Sequence, residues 1–268
     1  MTTTTQSPVA DAIDAARRDR GGALIGYLPA GFPDLDTSVE AAVAVLESGF
    51  DVLEFGMPYS DPVMDGPVIQ AATVEALENG FRVADVFEAI RRVRARVDKP
   101  VVVMTYWNLV LQHGVEQFAR ELREAGGAGL ITPDLVPDEG ADWIAAADEY
   151  GLDRIFLAAP TSSDERLRMI TERSRGFVYT VSTMGITGAR SDIDAAARSL
   201  ADRLHAAGCA RACVGIGIST PEQVHEVLGY AEGAIVGSVL VRALADGGVD
   251  EVRRVATALA AGTARDAS

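Results

Sequence analysis

The stretch VLEFGMPYSDPVMDGPVIQ, residues 52–70, holds three carboxylates in a setting that does not favour charge. Glu54 interrupts an apolar run of the kind that forms a buried strand, and Asp61 and Asp65 follow in a loop bracketed by prolines and glycines. A charge in a strand interior is costly unless it is paired or used. Two readings are open for Glu54: pairing with a buried arginine, or acid/base work, for which an apolar setting raises the carboxyl pKa toward neutrality. No arginine follows closely in the loop, which favours the second. Two readings are open for Asp65 as well. It precedes Gly66 and Pro67, the pattern of a capping acid ahead of proline in a first helical turn, and catalysis beside Glu54 is the alternative.

A second group of residues suits an anion. VGIGIST leads from one β-rich segment into PEQV, and AIVGSVLVRAL leads from the last such segment straight into a helical run. Glycine lets backbone approach an anion closely, and amides at a helix start present unpaired donors. Gly217, Gly237 and Ser238 are the amides selected for a phosphate, against the reading that these glycines only permit tight turns. Between them and the carboxylates lies STMGITGARSDID, where Gly185 and Gly188 flank Thr187. It reads as a lid that closes over a site, or as a connection whose Asp192 caps the next helix.

Other chemistries lack their residues. Lys99 is the single lysine and stands just before Pro100 and a strand, at the wrong end for a Schiff base. Of the histidines, His205 and His225 lie in helical segments without a partner at metal spacing, and His113 is isolated, so no metal site is expected. The dinucleotide fingerprint GxGxxG is absent from GYLPAGFPD after the first strand. What is left is carboxylate acid/base chemistry on a phosphorylated small molecule.

The elements that must hold these groups recur in a simple order. Strand candidates are ALIGYL from Ala23, VLEF from Val52, VVVMTY from Val101, GLIT from Gly129, RIFLA from Arg154, FVYTV from Phe177, ACVGI from Ala212 and GAIVG from Gly233. Amphipathic segments such as VADVFEAIRRVRARV and VEQFARELREAG lie between them. The strands are mostly continuous apolar runs, as in a parallel sheet covered by helices. Eight β-then-α units without a linker predict a single-domain (β/α)₈ TIM barrel, with an open doubly wound sheet as the runner-up. Residues 1–7 read as a disordered arm and residues 8–20 as an extra N-terminal helix capping the barrel bottom. Chemistry in a barrel belongs at the C-terminal ends of the strands, where Glu54 falls.

Composition sets the outer limits. The 268 residues carry a net charge of −15, which repels nucleic acid and anionic membrane surfaces. No apolar run approaches a membrane span and the N-terminus has no signal-like core, so a soluble, cytoplasmic protein is expected. Cys209 and Cys213 within CARAC read as reduced, packed thiols.

With these residues assembled, the chain closely resembles the tryptophan synthase alpha chain family, from about Ala23 to Leu244. The resemblance runs through YLPAGFPD, LEFGMPYSDPVMDGPVIQ, MTYWNLV, GLITPDLVPDE, GFVYTVSTMGITGAR, VGIGISTPEQV and GAIVGSVLV. It implies retro-aldol cleavage of indole-3-glycerol phosphate to indole and glyceraldehyde 3-phosphate in L-tryptophan biosynthesis. It further implies Glu54 as principal acid/base and Asp65 as the group that accepts the indole N–H. Tyr27, Met104, Tyr106, Leu157, Tyr179, Thr187 and Ile216 would line the substrate pocket, and Gly188, Gly217, Gly237 and Ser238 would hold the phosphate. Tyr27, Tyr59 and Ile216 depart from the phenylalanines common in the family. A β chain carrying pyridoxal phosphate would contact Pro58, Tyr59 and Asp61 in an αββα tetramer, with no cofactor on this chain. An idle barrel that only activates a β chain, or another phosphate-barrel isomerase, are the competing readings.

Overall fold

The computed structural model describes residues 7–62, 64–181, 190–215 and 217–265. Eight parallel strands close into a barrel in sequence order: β1 (Ala23–Pro29), β2 (Val52–Gly56), β3 (Val101–Met104), β4 (Gly129–Thr132), β5 (Asp153–Ala158), β6 (Val178–Val181), β7 (Ala212–Gly215) and β8 (Gly233–Val236). The barrel, and not the open sheet, is the fold. β1 closes the ring against β8, with Ala23 opposite Gly233 and Ile25 opposite Ile235.

Helices follow each strand. α1 (Pro8–Asp19) precedes the barrel, α2 (Leu35–Glu47) follows β1, and α3 (Pro67–Glu78) with α4 (Val83–Arg94) follow β2. Then come α5 (Trp107–His113) and α6 (Val115–Glu124), α7 (Ala141–Tyr150), α8 (Asp164–Arg173), α9 (Arg190–Ala206), α10 (Pro221–Leu228) and α11 (Ser238–Ala260). Their starts use the expected chemistry. Ser7, Asp34, Ser163 and Thr220 each accept a backbone N–H from the first turn of their helix. The helix α9 begins at Arg190, so Asp192 lies within its first turn and not at the capping position.

The strand residues divide into two cores because successive side chains point to opposite faces. One set, including Leu24, Leu53, Val103, Leu130 and Phe156, packs outward against the helices. The other fills the barrel: Ala23, Ile25, Val52, Val102, Ile131, Ile155, Phe177, Cys213 and Ile235. Val9, Ile13 and Ala16 of α1 join this inner set, so α1 stoppers the N-terminal end of the barrel. Ser7 is ordered and belongs to this stopper, not to an arm: its hydroxyl accepts from the Ala10 amide and donates to Asp153 at 2.8 Å. Residues 1–6 lie outside the described residues.

The same end collects the remaining buried charges. Lys99 donates to the Leu46 and Phe50 carbonyls at 2.8 and 2.7 Å, which fixes it at the bottom of the barrel. Glu232 accepts from the Ala212 amide at 2.9 Å, faces His205 at 2.9 Å and pairs with Arg17 at 2.8 Å. Cys209 and Cys213 are both buried free thiols, as the sequence suggests. With its lower end closed, the barrel is open to ligands at the C-terminal ends of its strands. Ile13→Ala should cost about 2–4 kcal/mol, because it leaves a void in a fully buried contact. A lowered urea midpoint, with retained secondary structure by circular dichroism, is the expected measurement.

Candidate active site

The period of two that fills the barrel also builds its mouth. On β1, Tyr27 continues the inward phase of Ala23 and Ile25; on β2, Glu54 continues that of Val52. The register places Tyr27 opposite Glu54, and Leu157 opposite Tyr179. These side chains, with Met104, line a cavity of about 240 Å³. Met64, Asp65 and Gly66 enter it from the β2–α3 loop, and Gly217, Gly237 and Ser238 border it from the loops after β7 and β8. Glu54 and Asp65 therefore face the same space as the glycines selected for a phosphate.

Glycine at two positions makes room for the tyrosines. A Cβ on Gly56 would stand 2.2 Å from the Tyr27 hydroxyl, and one on Gly215 would stand 2.7 Å from the Tyr179 hydroxyl. Both contacts are shorter than atoms permit, so each ring lies across the backbone of the neighbouring strand.

Glu54 is fully buried, and neither carboxylate oxygen has a hydrogen-bond partner among the described residues. The arginine-paired reading fails for it. Burial first, and the negative charge of Asp65 second, push its pKa up to about 8. The Asp65 carboxyl is raised to about 6, by burial alone. The capping reading of Asp65 is also overturned: the residue flanking α3 is Gly66, with no side-chain cap, and Pro67 opens the first turn. Asp65 has only its backbone engaged by that helix, the Gln70 Nε2 donating to its carbonyl at 2.8 Å. Asp153 offers a contrast at the opposite end of the barrel. Its pKa is likewise raised to about 6 by burial, yet it receives the Ser7 hydroxyl and pairs with Arg175 at 3.1 Å, as a structural anion should. At the mouth, burial also lifts the Tyr27 and Tyr179 phenols well above their usual range, and the two carboxylates add to this.

The two helix starts near the mouth differ in a way that bears on anion binding. The start of α10 is satisfied internally: Gln223 Oε1 accepts from the Ser219 and Thr220 amides at 2.7 and 3.2 Å, and the Thr220 hydroxyl accepts from the Gln223 amide. The start of α11 carries no side-chain cap at Gly237. Gly237 and Ser238 at this start border the cavity, where an anion would complement the positive end of the helix. Gly217 sits at a φ of 66°, a conformation that glycine adopts without strain.

This geometry has known relatives. The model of the family described as tryptophan synthase alpha chain matches residues 13–267. The chain belongs to the tryptophan synthase alpha chain family. The tryptophan synthase alpha chain of Leifsonia xyli subsp. xyli is 64% identical over 97% of this chain and 99% of the relative. That of Mycobacterium avium is 52% identical over 95% of this chain and 94% of the relative. Among solved structures, Mycobacterium tuberculosis tryptophan synthase in space group F222 superposes with a TM-score of 0.91 at 50% identity, covering 97% of this chain and 99% of that one. A chain of the tryptophan synthase complex from Pyrococcus furiosus gives 0.81 at 33% identity, covering 90% and 98%.

In this alpha chain, not every residue suggested for the pocket lies on the cavity wall. Tyr106 is buried and stands at the start of α5, where its hydroxyl accepts from the Met64 amide at 2.9 Å and its ring lies 5.1 Å from that of Tyr59. It is not among the residues lining the cavity, and touches the β2–α3 loop instead. Pro58 is buried, Tyr59 half-buried and Asp61 exposed on the rim of the same loop. Thr187, Gly188 and Ile216, together with Gly185 of the suggested lid, lie outside the described residues. Ile131 and Ile235 line the cavity without having been singled out. The inward alternation along β4 and β8 is the signal that would have found them. No described helix is long and apolar enough to cross a membrane.

Burial of Glu54 has a thermodynamic consequence whose sign is fixed. Its folded pKa of about 8 exceeds the ordinary 4.5, so its contribution to stability is full below about pH 4.5 and is lost as pH rises through 8. Glu54→Gln should therefore match the wild type near pH 4.5 and exceed it near pH 9 by on the order of a few kcal/mol. Urea midpoints at the two pH values give the comparison; an equal offset at both would contradict the assignment.

Proposed function

We propose that this alpha chain cleaves indole-3-glycerol phosphate with Glu54 as the proton donor and acceptor and Asp65 as the anion that holds the indole nitrogen. The cleavage to indole and glyceraldehyde 3-phosphate, a carbon–carbon lyase step in tryptophan biosynthesis, is the activity of the family to which the chain belongs. One observation carries the division of labour: two carboxyl groups border one cavity with pKa values of about 8 and about 6. At neutral pH the first is protonated and the second ionised.

The protonated Glu54 gives its proton to indole C3, which turns the ring into an indolenine cation. The Asp65 carboxylate accepts the N1–H and stabilises the positive charge that spreads over the ring. The Glu54 carboxylate left behind is buried and correspondingly basic, so it takes the proton from the hydroxyl on the carbon attached to C3. The carbon–carbon bond then breaks, its electron pair returns to the ring, and an aldehyde forms. Glu54 ends protonated, so the cycle balances with neither imine nor metal. Tyr27, Met104, Leu157 and Tyr179 enclose the indole, and the family resemblance assigns Thr187 and Ile216 to substrate binding as well. Gly217, Gly237, Ser238 and Gly188 bind the phosphate through amides, which explains how an acidic chain holds an anion.

Pro58, Tyr59 and Asp61 form the face offered to a β chain in an αββα assembly, a reading supported by the relative from Pyrococcus furiosus being a tryptophan synthase complex. The pyridoxal phosphate belongs to that β chain, this chain carries no cofactor, and the pair works in the cytoplasm.

The test is indole release from indole-3-glycerol phosphate by the purified chain, alone and with a β chain. The rate should rise with pH through about 6 as Asp65 ionises and fall through about 8 as Glu54 loses its proton. Glu54→Gln should lower turnover by about a thousandfold with the fold intact, and Asp65→Asn by about 10–100-fold. No indole under either condition would point to an idle barrel or to an isomerase.

A further inference from the structure

Asp65 presents a problem of aim. Its carboxylate reaches the cavity from a loop, it does not cap α3, and loops hold catalytic groups less rigidly than strands do. What fixes it must act through the backbone on either side. On the C-terminal side the Gln70 Nε2 donates to the Asp65 carbonyl at 2.8 Å. On the N-terminal side the Met64 amide donates to the Tyr106 hydroxyl at 2.9 Å.

Tyr106 is a rigid post for such a bond. It is buried, it stands two residues past the end of β3, and the next residue is fixed as well: the Trp107 amide donates to both oxygens of Asp134 at 2.9 and 3.1 Å. The backbone ladder also continues past the strand ends, with the Met57 amide donating to the Met104 carbonyl at 2.9 Å and the Thr105 amide to the Ile131 carbonyl at 3.1 Å. The Tyr106 ring meets Tyr59 at 5.1 Å between centroids, so a single side chain holds the same loop at Tyr59 and at Met64.

We propose that Tyr106 is a positioning residue for the cleavage reaction, its hydroxyl pinning the Met64 amide and so aiming the Asp65 carboxylate into the cavity. The proposal rests on the role given to Asp65 above. It assigns the Tyr106 phenol to the loop in place of contact with substrate. Loss of the pin would let Asp65 swing toward water, which would lower its pKa toward that of an ordinary aspartate.

Tyr106→Phe keeps the ring and removes the hydroxyl that accepts from the Met64 amide. Two measurements on the full chain decide the matter. Turnover of indole-3-glycerol phosphate should fall about tenfold, with the acidic limb of its pH profile displaced downward. The Asp65 carboxyl carbon, followed by NMR in the ligand-free protein, should titrate lower in the variant than in the wild type. An Asp65 titration identical in the two proteins overturns the proposal whatever happens to the rate, since a loss of activity would then reflect general loosening. A displaced titration with unchanged turnover overturns it too. If the wild type releases no indole, the functional reading fails, yet comparison of the two Asp65 titrations still tests the pin.

Discussion

The mouth of this barrel is organised around a carboxyl group that water cannot solvate. Glu54 sits on a central strand of a closed parallel sheet, fully buried and without a hydrogen-bond partner among the described residues. In most interiors such a group would be replaced or neutralised by an arginine. Here burial itself keeps it protonated at neutral pH, and the nearby charge of Asp65 reinforces the effect. The reactivity of the site and its thermodynamic cost arise from the same desolvation.

The rest of the architecture serves to keep that group dry and oriented. α1 packs Val9, Ile13 and Ala16 into the lower end of the barrel core. The structural charges are gathered at that end, where Asp153, Glu232 and Lys99 each find partners. At the upper end the polar inventory is sparse. Two tyrosines lie across Gly56 and Gly215, the uncapped start of α11 borders the cavity, and Asp65 leans in from a loop held by Tyr106 and Gln70. A raised pKa alone does not mark the active site, because Asp153 has one too. The distinction is that Asp153 has an ion pair with Arg175 and a hydrogen bond from Ser7, whereas neither Glu54 oxygen has a hydrogen-bond partner among the described residues.

Two carboxyl groups of the same chemistry thus acquire opposite protonation states at neutral pH. The one on the strand is wholly enclosed; the one on the loop is only half-buried and ionises about two units lower by the difference between about 8 and about 6. The proposed division into general acid and stabilising anion needs that separation, to which the deeper burial of Glu54 and the charge of Asp65 beside it both contribute. The end proposed for the phosphate follows a similar economy. A helix start supplies donors locally, so the net charge of −15 does not oppose binding of an anion there.

The sequence by itself determined the eight strand-then-helix units and the N-terminal helix, and it singled out Glu54, at the C-terminal end of its strand, as the candidate centre of the chemistry. These follow from local rules: apolar runs of strand length, amphipathic periods, and the cost of charge in an apolar run. It also carried the family motifs, long enough to name the reaction. Other matters depended on groups far apart in the chain. Whether Asp65 caps a helix or faces the cavity is even on local pattern, since Asp-Gly-Pro suits both; the structure puts the uncapped Gly66 next to α3 and Asp65 on the cavity wall. Tyr106 itself reads as a pocket residue from its motif, and only the tertiary structure turned its hydroxyl to a backbone amide. Likewise the absence of a hydrogen-bond partner for Glu54 among the described residues depends on the strands and loops around it. Local sequence fixes what each segment can form, while desolvation and hydrogen-bond pairing are settled by which segments the closed barrel brings together.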